Sequence, residues 1–561
     1  MLAGLTLAFP FQVRADDLTP ATLGPANGAE QVCIDTPLAI QFDQEPRIGN
    51  SGTIRVYRAD GTLVDTIDIT PDHTSTRLIG GAQAGGVPYP FKYYSIIVDG
   101  NTATIYPHQS LEYGQFYYVT IDAGVFTNAE GDAFSGIQGP DTWRFSTKTA
   151  APPTGTAQLT VAADGSGDFC TVQGAIDFVP VNNAQRVVIT VRPGTYREIV
   201  YVRSSKPLIT VYGEDRDTTV IQYANNNNLN GAISGNFRAN FGVDAADFTL
   251  ANITLENTTL KGGSQAEAFR ANNQRIFLNQ VHLKSFQDTL LLTGTGFVTD
   301  SLIEGDVDFM WSLGGAAFFQ QSELRALFPG YYTQIRNDSA HHGFVFVDCM
   351  LTRAPDLADN TMYLGRIDPR VFPDSQVVYI NTAMDSHMRP VGWLLNNADC
   401  GQAPTLQFWE YHSTDLSGAP VDVSNRLACS RQLSDDEALQ WSDPMFVLGG
   451  WTPSTSPPSF QSLTASPAKL WPPNHKMVPV TLTADVTDKV DPSPTVRIIS
   501  VASNENSYGA DWEITGDLRL NLRAERAGGG SGRVYTITVE SYDYLGNRST
   551  ADVNVVVAHD E

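Results

Sequence analysis

Apolar residues in the middle of this chain come in short runs, and each run closes on one polar residue. The pattern reads Leu250-Ala251-Asn252, Phe277-Leu278-Asn279, Val298-Thr299-Asp300, Phe319-Gln320-Gln321, Phe346-Val347-Asp348 and Tyr379-Ile380-Asn381. The closing polar residues are 27, 21, 21, 27 and 33 positions apart. Internal periods of about 20–50 residues mark solenoids or propellers. Each unit contains a β-rich run such as Phe344-Val345-Phe346-Val347, and none repeats apolar residues at helical spacing. A four-stranded propeller blade needs about 40 or more residues. Coils of variable length with one robust strand each therefore predict a right-handed parallel β-helix. Parallel strands stack about 4.8 Å apart, so equivalent side chains on neighbouring coils touch. Asp288 lies nine residues after Asn279 and Asp308 eight after Asp300. The two carboxylates are thus expected on adjacent coils, with their relative facing left open by the one-residue mismatch.

On either side of the solenoid the pattern changes to alternating short strands with turn pairs. Thr53-Ile54-Arg55-Val56-Tyr57 and Tyr117-Tyr118-Val119-Thr120-Ile121 are examples, with turns at Asp60-Gly61 and Asp99-Gly100. This predicts an Ig-like β-sandwich over residues 18–148. A linker at 149–156, rich in Ala, Pro, Thr and Gly, leads into the solenoid over 157–453. A second linker at 454–461 leads into another Ig-like sandwich over 462–558, with strands such as Val534-Tyr535-Thr536-Ile537-Thr538-Val539. The fold class is accordingly all-β. The flanking modules are expected to space or anchor the central domain and to contact polysaccharide or a cell surface.

Met1 to Ala15 is apolar and ends in Val13-Arg14-Ala15, which reads as a signal peptide lacking its basic start. No later apolar run reaches 18 residues, so no membrane span is predicted. The formal charge is −25, from 61 acidic and 36 basic residues. That excludes nucleic acid and anionic membranes as natural partners and suits a secreted protein. Of the five cysteines, Cys400 and Cys429 flank one loop-rich segment and suit a disulfide in an exported protein. Cys349 reads as a buried small hydrophobe. There is no CxxC and no zinc spacing. Asp164-Gly165-Ser166-Gly167-Asp168 lacks the later ligands of a calcium loop and reads as a turn.

Two carboxylates on adjacent coils cannot both ionise easily, so one is pushed toward the neutral acid and the other toward the anion. A neighbouring cation makes the anion a poised nucleophile, and amide donors can hold a developing oxyanion. Gln265, Gln287 and Arg366 are available for these tasks. The motifs Gly165-Ser166-Gly167-Asp168-Phe169, Gly194-Thr195-Tyr196, Gln265-Ala266-Glu267-Ala268-Phe269, Gln287-Asp288-Thr289-Leu290, Gly305-Asp306-Val307-Asp308-Phe309, Leu364-Gly365-Arg366 and Pro390-Val391-Gly392-Trp393 stand in one order. Together they resemble the pectin methylesterase family, carbohydrate esterases on a β-helix. The resemblance implies Asp308 as nucleophile on the C6 methyl ester, Asp288 as general acid and base, and Gln265 and Gln287 as oxyanion donors. It implies Arg366 as the partner that keeps Asp308 ionised. The implied substrate is methyl-esterified pectin, with no metal and no organic cofactor. Phe309, Trp311 and Trp393 are expected to bind sugar faces.

Two positions depart from the family pattern. Met310-Trp311-Ser312 follows Asp308 where the family has an Ile-Phe-Gly-like string, and Ile367-Asp368 follows Arg366 where it has Pro and Trp. Trp311 or Trp393 is the expected substitute for the missing groove tryptophan. Asp368 is expected to add negative charge near the groove, which with the acidic composition favours highly methylated pectin. An acyl-CoA thioesterase and a non-catalytic polysaccharide binder are the competing readings. A polygalacturonase would need clustered Asp residues with an Arg-x-Lys string, and no Gly-x-Ser-x-Gly elbow of a serine esterase is present.

Overall fold

The computed structural model describes residues 18–558 except 70, 232–236, 492, 506–509 and 530–531, so the expected leader at 1–15 lies outside the described residues. The chain divides into two compact units. One holds the described residues up to Pro180 with Glu198–Tyr201 and Asn227–Arg238, and the other holds Val181–Arg197, Val202–Asn226 and the described residues from Ala239 on.

In the first unit, a four-stranded sheet (Pro20–Gly24, Leu38–Phe42, Thr102–Ile105, Ile96–Asp99) belongs to the same sandwich as a five-stranded one (Ala29–Val32, Arg144–Thr147, Phe116–Ile121, Thr53–Arg58, Leu63–Asp68). Strict alternation drives this. In Leu38-Ala39-Ile40-Gln41-Phe42 the first, third and fifth residues are buried. They meet Ile54, Val119, Phe126 and Trp143 in one core. The Trp143 indole N–H, which burial would otherwise orphan, donates to the Pro25 carbonyl at 2.8 Å.

The second unit contains the solenoid. One ladder runs from Val187–Val191 through Ile209–Gly213, Thr249–Ala251, Ile276–Asn279, Thr295–Thr299, Ala316–Gln320, Phe344–Val347 and Gln376–Ile380 to Gln407–Tyr411. Its strands pair parallel, in the manner of a β-helix. From Thr249–Ala251 onward, the residue after each strand of this ladder turns the corner in the left-handed region: Asn252, Gln280, Asp300, Gln321, Asp348, Asn381 and His412, with φ between 49° and 55°. These residues follow register-paired positions, so the corners stack into a column. The column corrects the sequence reading at one coil. Asn279 is the last strand residue there, pairing with Thr299, and the corner is Gln280. Counted from the corners, Asp288 and Asp308 are both eight residues on, and the mismatch disappears.

The interior of the coils is closed by aromatic stacking. Phe319, Phe346 and Tyr379 occupy paired positions, with ring centroids 4.4 and 4.6 Å apart. Trp393 continues the stack onto Phe408 at 4.3 Å. Beyond it, buried Glu410 takes a hydrogen bond from the Trp393 indole and an ion pair from Arg426 at 2.8 Å. Cys400 and Cys429 form a disulfide, and Cys349 is buried with a free thiol. A second sandwich follows, with two four-stranded sheets, and its first strand, Ser459–Ser466, starts inside the stretch expected as linker. Tyr542 of this sandwich stacks on Tyr212 of the solenoid at 4.3 Å. No helix among the described residues is long and apolar enough to cross a membrane.

Phe346 is fully buried between two rings. Phe346→Ala should destabilise the solenoid by about 3–5 kcal/mol, the cost of a lost aromatic plus its cavity. Urea unfolding followed by tryptophan fluorescence measures it, and a loss under about 1 kcal/mol would show that the stack is not what closes the coils.

Candidate active site

The long strand Leu302–Ser312 carries the centre of the site. Against the next coil its register slips, Val307 pairing with Tyr331 and Met310 with Thr333. Two residues, Asp308 and Phe309, therefore oppose the single Tyr332, which makes a β-bulge. Asp308 takes φ 49°, a conformation Asp tolerates better than most residues, while Phe309 turns inward to meet Tyr332 at 5.0 Å. Gly305 makes the bend possible, because a Cβ there would stand 2.2 Å from the Phe309 Cβ.

Neighbouring coils bring the remaining groups alongside. The Ala266 N–H donates to the Gln287 carbonyl at 3.2 Å, and Gln287 forms a parallel bridge with Val307. The Asp288 N–H donates to the Val307 carbonyl at 3.1 Å. Gln265, the Gln287-Asp288 pair and Asp308 thus stand on three successive coils. Asp288 also has φ 67° and is buried, and Gln265 and Gln287 are half-buried. Arg366 reaches Asp308 from two coils further on, with Nε to Oδ1 at 2.8 Å and Nη2 to Oδ2 at 2.5 Å. This bidentate geometry is the strongest form of the pair. Burial pulls the Arg366 pKa down, but its pairing with Asp308 outweighs this and holds it above the ordinary arginine value. Asp308 and Arg366 therefore meet on the bulge, with Gln287 and Asp288 on the adjoining coil and Gln265 one coil further.

Electrostatics differ from expectation in one respect. Burial, with Asp308 only 5% exposed, pushes its carboxyl above the usual aspartate range, and the Arg366 guanidinium pulls against that rise without reversing it. Asp306 adds to the rise. Asp306 is itself a third carboxylate, 1% exposed and ion-paired with Lys261. The Lys261 ammonium lies 4.2 Å over the Phe328 ring.

The expected sugar-binding aromatics fare differently. Phe309 is 0% and Trp393 1% exposed, each packed in the solenoid interior, so neither presents a face to a ligand. The bulge inverts the side of Phe309, and Trp393 belongs to the interior stack, so it cannot replace the missing groove tryptophan. Trp311 is 7% exposed, with the Arg336 guanidinium 5.2 Å from its ring. Asp368 does not act as a bare charge, because Arg370 pairs with it at 2.7 Å and holds it below the usual carboxylate range. Asp164 accepts from the Ser166 N–H at 2.9 Å, as a turn residue does.

Three features escaped the sequence. Gln334 donates from Nε2 to Asp308 Oδ2 at 3.1 Å. Its signal was its register with Trp311, which only the bulge reveals. Lys261 lies 45 residues from Asp306, too far for any local pattern. Tyr331 and Tyr363 extend the Gln287–Val307 row onto the next coils, stacked at 5.5 Å and half-buried, under Arg366 at 4.3 Å and Arg389 at 4.8 Å. Stacked tyrosines beside a carboxylate are a natural platform for sugar rings.

The sequence profile of the pectinesterase family matches residues 158–450, and that of a bacterial Ig-like domain matches residues 17–147. The chain is 34% identical to pectinesterase 31 of Arabidopsis thaliana over 303 residues, covering 52% of this chain and 92% of that protein. It is 32% identical to pectinesterase 1 of Olea europaea over 330 residues, covering 55% and 84%. Among solved structures it is similar to the pectin methylesterase from carrot, at TM-score 0.48 and 26% identity over 53% of this chain and 95% of that one. It is also similar to a pectin methylesterase in complex with a hexasaccharide, at TM-score 0.45 and 24% identity over 53% and 99%.

Gly305→Ala should collapse the bulge. Its Cβ would clash with the Phe309 Cβ and lie 2.7 Å from the Thr289 hydroxyl. A loss of about 1–3 kcal/mol in urea unfolding is expected, as for overpacked interiors. Unchanged stability would mean that the strand bends without need of glycine.

Proposed function

We propose a division of labour among the carboxylates of this cleft, from the premise that the chain belongs to the pectinesterase family and hydrolyses methyl esters of pectin. Asp308 is the nucleophile, and the observation that carries this is its bidentate pairing with Arg366 on the bulge. The pair holds one carboxylate oxygen pair in a fixed direction while burial strips it of water. Asp308 attacks the C6 carbonyl carbon, and the carbonyl π electrons move onto oxygen. The side-chain amides of Gln265 and Gln287 donate to that oxyanion. Asp288, protonated at this stage, gives its proton to the methoxy oxygen as the tetrahedral intermediate collapses, so methanol leaves and an acyl-enzyme anhydride remains. Asp288, now a carboxylate, takes a proton from water, and the hydroxide attacks the same carbon. Asp308 departs as the leaving group, which frees the galacturonate carboxylate and restores both aspartates. Gln334 steadies Asp308 Oδ2 throughout.

Sugar residues on either side of the scissile ester lie along Tyr331 and Tyr363, and the Arg389 guanidinium beside Tyr363 donates to a neighbouring carboxylate. Family members act on extracellular cell-wall pectin, and we read this chain as secreted, with residues 1–15 as its leader. The two Ig-like modules hold the enzyme near polysaccharide or a cell surface.

Asp308→Asn should lower methanol release from highly methylated pectin by about a thousandfold or more, the scale of losing a nucleophile. It should leave pectin binding in place. Loss of binding along with rate, or a rate near wild type, would remove Asp308 from the nucleophile role. The pH dependence follows from the charge balance. Asp308 must be ionised to attack, so activity falls on the acid side through its pKa, which burial already raises and Arg366 lowers. Arg366→Leu removes the lowering, so the acid limb of kcat/KM should move to higher pH by about one unit or more. An unmoved limb with a reduced rate would make Arg366 a tether for the bulge only.

A further inference from the structure

Away from the cleft, one buried cluster of reactive groups has no part in ester hydrolysis. Cys33 follows the strand Ala29–Val32, and Cys170 precedes Thr171, the N-cap of the helix Val172–Phe178. Both thiols are free and buried. Their sulfurs and a carboxylate oxygen of Asp35 all lie within 4.8 Å of one another.

The surroundings hold the two cysteines together. Asp35 accepts from the Cys170 N–H at 3.0 Å, the Thr171 N–H at 2.8 Å and the Thr171 hydroxyl at 2.6 Å, so the backbone of Cys170 is fixed beside the segment that carries Cys33. Gly174 allows this approach, since a Cβ there would stand 2.2 Å from Asp35 Oδ2. Lys148, whose own N–H donates to the Val32 carbonyl at 2.8 Å, extends its ammonium to the Cys33 sulfur at 3.5 Å and to the carbonyls of Gly167 and Asp168.

Two chemistries use paired thiols, metal binding and disulfide formation. A metal fits poorly. A structural zinc site wants four ligands, whereas this cluster offers three, one of them an Asp35 carboxylate already committed to three donors. The Lys148 ammonium beside the Cys33 sulfur would also repel a cation. Disulfide chemistry fits well. The two sulfurs lie within 4.8 Å of each other, on segments whose backbones Asp35 ties together. The chain already holds one disulfide, Cys400–Cys429.

We propose that Cys33 and Cys170 form a second disulfide, which staples the N-terminal sandwich to the helix Val172–Phe178. The Cys33 thiolate attacks one sulfur of a small or protein disulfide oxidant and expels a thiolate, leaving a mixed disulfide on Cys33. Cys170 gives up its proton and attacks the Cys33 sulfur, expelling the second thiolate. One S–S bond forms, two S–H bonds are lost, and the oxidant is reduced to two thiols. Because both sulfurs are buried in the folded chain, the exchange takes place during folding. The closed loop runs from residue 33 to residue 170, and so long a loop strongly restricts the unfolded chain.

The test is a thiol count on the full chain, refolded from the reduced state in a glutathione redox buffer, then denatured without reductant and alkylated with iodoacetamide. With Cys400–Cys429 formed in the same sample, one alkylated cysteine is expected, Cys349, together with a tryptic peptide pair joining Cys33 to Cys170 that separates on reduction. Cys33→Ser should expose Cys170 as a second alkylated site. The double variant Cys33→Ser, Cys170→Ser should lose the linked pair and unfold at a lower temperature, by about 5 °C or more. Alkylation of Cys33 and Cys170 in the wild type overturns the proposal. So does one zinc ion per chain with both of these thiols alkylated, which would assign the cluster to metal binding.

Discussion

The column of left-handed corners sets the phase of everything else in the solenoid. Parallel coils share backbone hydrogen bonds, so each must reach its corner at the same height and direction as its neighbour. Asn252, Gln280, Asp300, Gln321, Asp348, Asn381 and His412 all do so with nearly one value of φ. Coil length can then vary freely elsewhere, as the loops between strands show, without disturbing what stands at a fixed offset from the corner. Asp288 and Asp308 share such an offset. Their proximity is a consequence of backbone register, and no side-chain contact is needed to bring it about.

Register alone would have buried or exposed Asp308 by simple alternation, with Phe309 on the opposite face. The bulge breaks that alternation at one place. It places a carboxylate in a left-handed conformation against Arg366 and drives a phenyl ring into the core, where Tyr332 receives it. Tyr332 is held in turn by the ring of buried His387, whose Nε2 lies 2.7 Å from its hydroxyl and whose pKa burial lowers to about 4. The strain of the active strand is thus balanced by a packed, neutral interior.

The same physics decides what the sequence could reveal. The β-helix was legible because its period is written in apolar runs, and the sandwiches because Leu38, Ile40 and Phe42 alternate cleanly. The candidate site residues were picked out through motif order, since no spacing rule links Asp308 to Arg366 across 58 residues. Corner identity was harder. Asn279 and Gln280 are both polar, and only pairing shows that Asn279 ends the strand, donating to the Leu545 carbonyl of the second sandwich at 3.2 Å. Phe309 and Trp393 were misplaced because an aromatic near a motif carries no sign of the face it takes. Across a bulge the period of two that would supply that sign is lost. Tyr331 and Tyr363 stayed hidden for the opposite reason, being ordinary strand residues until stacking aligns them.

Charge placement completes the account of a polyanion's enzyme on an acidic chain. At −25 the surface as a whole repels pectate, and screening leaves such repulsion effective only within about 8–10 Å. On the coils around Asp308 the local balance differs. Asp308 is matched by Arg366, Asp306 by Lys261 and Asp368 by Arg370. Arg336 and Arg389 lie over the aromatic rings Trp311 and Tyr363. Paired carboxylates contribute little field of their own, so the excess acidity of the chain is not expressed at these three positions.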